Sequence, residues 1–366
     1  MKKILALCAA CALLLTVVPS CAKRPQQDWE KQPAARLTGE SINVFNWGEY
    51  IDDEVYRVNE AFTHETGIKV NYKTFDTNES LYTMLKNGAD YDVIVPSDYM
   101  VSKMASEGML ATLNFDNIPN YQYIDPTFQH LEFDPNDQYS VPYLWSTMGI
   151  FYNKQYVSEA DLAEGWGLLW DAKYQGKILM IDNERDAFAI ALRHCGFSMN
   201  STNPDEWQQA YNVLAAQKPL LGGYVMDQVY NKIGNEEAWI APYYAGDANI
   251  MMYADDSNPN IGFFVPDEGT NIFLDNLCVP ASSKHQAAAE AYINFLCSTP
   301  VALANTVYVG YSTPQLEARA ALDASISGNP IFYPPQSVID NAEWYTSLPP
   351  SIYSLQDSLW NKLKAL

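Results

Sequence analysis

Val44-Phe45-Asn46-Trp47-Gly48-Glu49-Tyr50 is the stretch whose reading decides the fold. The apolar run at 42–45 has the length and β-branched character of a buried strand. It breaks into a polar-aromatic corner, and helical spacing resumes at Asp53. In open α/β sheets, ligands bind at the carboxyl ends of the strands. Trp47, Glu49 and Tyr50 put a flat π face, a carboxylate and a phenol at such an end. That set suits a small organic cation, drawn to the ring face and neutralised by the acid. The plainer alternative makes Trp47 a core residue and Glu49 an ordinary surface acid.

Working outward, apolar residues at Val55, Val58, Ala61 and Phe62 predict a helix over 54–64 stopped by Gly67. A strand follows at 68–72, a helix capped by Asn78 runs to Gly88, and a buried strand at 91–95 ends in Pro96-Ser97-Asp98-Tyr99. The first hundred residues therefore alternate β-α-β-α-β, an α/β sandwich with its site at the strand tips. Further strands are expected at 178–181, 238–244, 261–265 and 272–279. Helices are expected at 100–108, 185–194, 204–216 and 286–296, with shorter ones from 300, 314, 337 and 351. Extended residues at 141–143 and 148–152 read as a crossover into a second lobe. Asp134-Pro135-Asn136-Asp137 is a turn without the glycine and closing glutamate of a calcium loop.

The chain has 366 residues, enough for two domains, with 48% hydrophobic residues to fill their cores. Its 22 basic and 44 acidic residues give a net charge of -22. A polyanion is repelled by nucleic acid and by an anionic membrane face, so neither is an expected partner. Lys2-Lys3 and the apolar run 4–18 form a secretory signal, too short and wrongly flanked for a spanning helix. Val18-Pro19-Ser20-Cys21 resembles a lipobox, with Pro19 unusual in it, and makes Cys21 the lipidation candidate. Residues 22–39 read as a polar tether. Cys8 and Cys11 fall within the signal, which leaves Cys195, Cys278 and Cys297 as either one disulfide and a thiol or three buried thiols.

The opening pattern recurs. Pro96-Ser97-Asp98-Tyr99, Tyr243-Tyr244-Ala245-Gly246-Asp247 and Phe273-Leu274-Asp275 are likewise apolar strands ending in acids and aromatics, and Asp182 and Asp186 follow the strand at 178–181. Carboxylates at intervals with flat walls between them match an aliphatic polyamine, whose ammonium groups are separated by methylene runs. A basic oligopeptide or a quaternary amine fits the same set. Charge-assisted hydrogen bonds contribute about 1.5–3 kcal/mol each and a ring over a cation about 0.5–2 kcal/mol. A micromolar complex needs roughly 8 kcal/mol, so a handful of contacts suffices. Enzyme motifs are missing: no H-E-x-x-H, G-x-S-x-G, P-loop or G-x-G-x-x-G is present, and His64, His130, His194 and His285 stand singly. Asp182 with Asp186 could form an acid pair for glycoside cleavage, but paired acids are common in so acidic a chain.

From about Ser41 onward the chain resembles the spermidine/putrescine-binding receptors of bacterial polyamine ABC importers. The matching words are NVFNWGEYI (43–51), HETGIKV (64–70), YDVIVPSDYMV (91–101), MASEGML (104–110), DPNDQYSVPY (134–143), IFLDNLCVP (272–280), GYSTPQLEAR (310–319) and NAEW (341–344). The resemblance implies a two-lobed, type II periplasmic-binding-protein fold with a hinge and an interlobe ligand cleft. Lobe one would comprise 40–147 with 277–312, and lobe two 148–276 with 313–366. Hinge crossovers would lie near Thr147, Asn276 and Ser312.

Carried over position by position, the resemblance assigns ligand contacts to Trp47, Glu49, Tyr50, Ser97, Tyr99, Asp186, Tyr244, Asp247, Phe273, Asp275 and Tyr311. Two departures bear on ligand choice. Asn183 stands where spermidine-type members carry an acid, with Asp186 in place of a glutamate, and Tyr345 stands where relatives carry a glutamine. With Asp247 present, these lean toward putrescine over spermidine. The implied protein is a non-enzymatic monomer without cofactor or metal. It is lipid-anchored in the periplasm or on the outer face of the cytoplasmic membrane and delivers polyamine to ABC permease subunits. A polyamine-sensing or other cationic-solute-binding lipoprotein without transport is the alternative.

Overall fold

The computed structural model describes residues 26–254 and 257–366; the expected signal segment and Cys21 lie outside them. Ten strands form one curled mixed sheet: β1 (Ser41–Trp47), β2 (Lys69–Phe75), β3 (Val93–Ile94), β4 (Ser140–Asn153), β5 (Ile178–Ile181), β6 (Leu221–Val225), β7 (Ile240–Tyr244), β8 (Ile261–Phe264), β9 (Asn271–Cys278) and β10 (Glu343–Trp344). The order is β2-β1-β3-β9-β4-β7-β5-β6, with β8 on β4 and β10 on β9. β1 lies parallel to β2 and β3, as its β-α-β-α-β pattern requires.

The lobes join through β4 and β9. The first half of β4 pairs antiparallel with β9, from Ser140 against Cys278 to Thr147 against Ile272. At Met148 the strand changes partner and runs on against β7 and β8. A third segment crosses beside them, where Trp145 and Ser312 exchange backbone hydrogen bonds of 2.9 and 3.1 Å. β4 is buried almost throughout, which is why its sequence is nearly continuously apolar rather than alternating.

Alternation is what builds the first lobe. Ile42, Val44, Val93 and Val95 point into a core under the helices Val58–Thr66 and Gln286–Leu296. Phe45 and Ile94 point the other way, toward the helices Asn78–Lys86 and Asp98–Ser106. The second lobe has a larger core around Trp166, Phe188 and Trp207. The helices Glu184–His194, Pro204–Gln217 and Pro350–Lys364 pack together over it.

Several local expectations are corrected. The first helix starts at Val58 rather than 54, because the Asp52 carboxylate captures the Val55 and Tyr56 amides (2.7 and 3.0 Å) in a separate turn. Thr77, not Asn78, caps the second helix, accepting from Ser80 N at 3.1 Å. Asn78 is thereby released to reach the next strand tip. The strand expected at 91–95 contracts to Val93–Ile94. Cys195, Cys278 and Cys297 are all free thiols; Cys278 and Cys297 are buried and Cys195 is partly exposed.

The later part of the stretch read as tether is docked on the first lobe. Trp29 Nε1 donates to Tyr56 O (3.0 Å), its ring packs edge-on against His64, and Arg57 lies over it while pairing with Glu30. Ala35 N and Thr38 N bond to His64 O and Gly67 O. Trp29→Ala is expected to cost about 2 kcal/mol. Thermal denaturation should register this as a Tm lower by roughly 2–4 °C for each kcal/mol lost.

Candidate functional site

Chain turns at the strand ends deliver the side chains. β1 ends at Trp47, and the turn through Gly48 and Glu49 (φ 53, left-handed) swings Tyr50 back inward. β3 leads to Ser97 and to Tyr99 at the start of the helix Asp98–Ser106. β7 ends at Tyr244 and tightens into the turn Ala245–Asp247. Asn183 caps the helix that carries Asp186. Gly310, at φ 91, ends the helix Thr299–Val309 and turns the chain into Tyr311. On β9, Asn271, Phe273 and Asp275 occupy alternate positions and so share one face.

All eleven expected positions border a single cleft of about 370 Å3 between the lobes. Seven carboxylates border it: Glu49, Asp76, Asp182, Asp186, Asp227, Asp247 and Asp275. Among the described residues no Lys, Arg or His lines it. Asp182 pairs with Lys364 at 2.7 Å, whereas Asp186 is hydrogen-bonded by Tyr244 and Tyr345.

Three carboxylates are buried in the floor, each bracketed by two hydroxyl donors. Asp275 accepts from Tyr50 Oη (2.7 Å) and Ser97 Oγ (2.6 Å). Asp247 accepts from Tyr230 Oη (2.9 Å) and Tyr311 Oη (2.8 Å), and Asp186 from Tyr244 Oη (2.7 Å) and Tyr345 Oη (3.0 Å). Each carboxylate oxygen has two lone pairs, so these donors orient the acids while leaving capacity for an ammonium. The same phenols form the walls. Tyr50 meets Tyr311 edge-on at 5.0 Å, Phe273 meets Tyr311 at 6.2 Å, and Tyr244 meets Phe273 at 5.3 Å. Trp47 packs on Phe75 at 4.5 Å on the other side.

Burial pushes the Asp275 carboxyl up to about 6, the Ser97 and Tyr50 hydrogen bonds pull it back, and nearby Asp186 raises it again. Burial also raises Asp186. For the ligand-free protein, a raised folded-state value means Asp275 contributes stability below its unfolded value, and that contribution is lost as pH rises through about 6. A cationic ligand selects the ionised form. Affinity for a dication should therefore fall about tenfold per unit below pH 6 and level off above it, as calorimetry at pH 5, 6 and 7 will register.

Some cleft residues were not among the contacts expected from the sequence. Asn78 donates to Ser97 Oγ (3.0 Å) and Tyr99 Oη (3.1 Å), bracing the second strand tip. Asn271 is buried; its Nδ2 donates to the carbonyls of Ile272 and Glu343, and its Oδ1 has no hydrogen-bond partner. Tyr230 became visible only through its bond to Asp247. Period-two counting back from Asp275 could have found Asn271; nothing in the sequence marks Tyr230.

Away from the cleft, Asp161, Glu164 and Asp171 bring carboxylate oxygens within 4.8 Å of one another. The Lys173 ammonium, 2.9 Å from Asp161, already supplies positive charge to that group. His194 stacks on Trp170 at 4.2 Å and His130 pairs with Asp137, both far from acting as a base in the cleft.

A model of the bacterial extracellular solute-binding protein family matches residues 58–334. The chain is 34% identical over 334 residues to the spermidine/putrescine-binding periplasmic protein of Escherichia coli (strain K12), covering 89% of this chain and 92% of that one. It is 27% identical over 341 residues to that organism's putrescine-binding periplasmic protein PotF, covering 89% and 91%. Among solved structures, the spermidine/putrescine ABC transporter substrate-binding protein PotD of Streptococcus pneumoniae superposes with a TM-score of 0.75. It is 34% identical, covering 89% of this chain and 99% of that one.

Proposed function

The chain belongs to the bacterial extracellular solute-binding protein family, and on that premise we propose that it captures a polyamine outside the cytoplasm and hands it to an ABC permease. It performs no covalent chemistry. The observation that carries this reading is the cleft floor: three buried carboxylates bracketed by hydroxyls, set among aromatic walls. Ammonium groups answer the carboxylates, and the methylene runs between them lie against Tyr50, Tyr311, Phe273, Tyr244 and Trp47.

The eleven expected residues are the proposed ligand contacts. Lobe one is 40–147 with 277–312 and lobe two 148–276 with 313–366, bending near Thr147, Asn276 and Ser312. The partner change of β4 at Met148 supports the first hinge point, and the backbone exchange between Trp145 and Ser312 supports the third. Tyr311 reaches across to Asp247, so a ligand touching both lobes stabilises the closed form. The protein is a monomer held to the membrane through lipidated Cys21, which frees its lobes to meet the permease. Uptake of radiolabelled putrescine and spermidine by cells lacking the gene tests the reading. Restored uptake with the wild-type gene but not with Asp275→Asn supports it, and unchanged uptake in the deletion strain contradicts it.

A further inference from the structure

The stretch 26–38 is seated on the first lobe at two points. Trp29 donates to Tyr56 O and meets the His64 ring and the Arg57 guanidinium, which itself pairs with Glu30 and Glu60. Further along, Ala35 N bonds His64 O at 2.8 Å and Thr38 N bonds Gly67 O at 3.1 Å. Lys69 N, at the start of β2, then bonds Glu40 O at 3.1 Å. A Cβ at Gly67 would lie 2.3 Å from Arg36 O, so the crossing chain needs bare backbone beneath it. All these partners belong to lobe one, at the β2 edge of the sheet. β6, in lobe two, closes the opposite end of the strand order.

Docking shortens the free tether. Extended from Cys21 to Glu40, the chain would reach ~65 Å, but a chain held at Trp29 has eight residues of reach, ~28 Å. A folded body of this size has a radius of gyration of about 20 Å. A tether of ~28 Å therefore cannot lead round it from the β2 edge to the far side. Charge favours the same orientation. Residues 22–39 hold four basic residues, Lys23, Arg24, Lys31 and Arg36, against Asp28 and Glu30, in a chain with 22 basic and 44 acidic residues. Lys31 and Arg36 are exposed, and Leu37 beside them is 56% exposed. Basic side chains are drawn to anionic headgroups, and the acidic body is repelled by them.

We propose that this strap holds lobe one toward an anionic lipid surface, so that lobe two is the lobe that swings when the cleft closes. The proposal rests on the lipid-anchor reading, because the distance is counted from Cys21. The face turned to the lipid is the strap itself, with Arg36 and Leu37, and Lys69 at the β2 edge. Held this way, the protein offers its cleft to a permease in one orientation rather than many.

The test uses the full lipidated chain in vesicles of phosphatidylcholine and phosphatidylglycerol that carry a headgroup nitroxide. A fluorophore is attached at Lys69→Cys in lobe one or at Gln208→Cys in lobe two, both exposed positions. Cys195→Ser removes the partly exposed native thiol. Quenching should be at least about threefold stronger at position 69 than at position 208, given the short tether. Trp29→Ala lengthens the free chain and should cut that difference by about half or more. Equal quenching at the two positions, or stronger quenching at 208, overturns the proposal and leaves the anchor in place. So does a Trp29→Ala variant that keeps the wild-type difference. Wild type that binds vesicles no better than Cys21→Ser overturns the anchor as well.

Discussion

Asp275→Asn should weaken polyamine binding by about 100-fold without unfolding the protein. The side chain is 4% exposed and takes hydroxyl hydrogen bonds on both oxygens, one from the turn after β1 and one from the tip of β3. Asparagine keeps the shape and one acceptor, and the Tyr50 and Ser97 hydroxyls can rotate to suit the new amide. What disappears is the charge. A charge-assisted hydrogen bond contributes about 1.5–3 kcal/mol, and tenfold in affinity is about 1.4 kcal/mol, so most of two orders of magnitude follows from one atom. The variant should also lose the fall in affinity below pH 6, because Asp275 is the group held at about 6. Calorimetry at pH 5 and 7 reads both effects together. Affinity within threefold of wild type would remove Asp275 from the centre of the site.

Gly246→Ala should be nearly as damaging, through a different route. A Cβ at Gly246 would lie 2.2 Å from Tyr311 Cδ2, and one at Gly310 would lie 2.3 Å from Asn249 Cβ and 2.7 Å from Gly246 O. These two glycines let the turn Ala245–Asp247 of the second lobe press against the residues after Val309 in the first. Any side chain at 246 displaces the Tyr311 ring and with it the hydrogen bond to Asp247. Overpacking costs about 1–3 kcal/mol and the hydrogen bond about 0.5–1.5 kcal/mol. The closed form should lose at least about tenfold in population, while both cores stay intact. The expected observation is weaker ligand binding and a larger radius of gyration in solution scattering with ligand present. Wild-type affinity and compaction would show that the contact has no part in closure.

Much of this site was legible in the sequence because it stands at strand ends. An apolar run that breaks into Trp47, Glu49 and Tyr50, or into Phe273 and Asp275, marks its own tip, and the fold class brings such tips together. Residues that act from inside an element carry no such mark. Thr77 and Asn78 are adjacent good cappers, and only geometry shows that Thr77 caps and Asn78 braces Ser97. Arg185 reads as one more charged residue at a helix start, because the Tyr345 ring under its guanidinium is 160 positions away in the chain. β6 escaped notice because Gly222 and Gly223 suppress its strand signal. The docking of Trp29 was hidden by its polar, proline-containing surroundings, since burial of one indole against a helix leaves no periodicity.

Calorimetric titration of wild-type protein with putrescine and spermidine, at low and at high salt, is the most direct test of whether the cleft is a polyamine site. A specific cleft predicts one-to-one binding of micromolar strength or better that survives high salt, since buried pairs are screened far less than surface charges. Heat that vanishes at high salt, or no heat with either amine, would mean that the acidic surface merely attracts cations and that the cleft serves another solute.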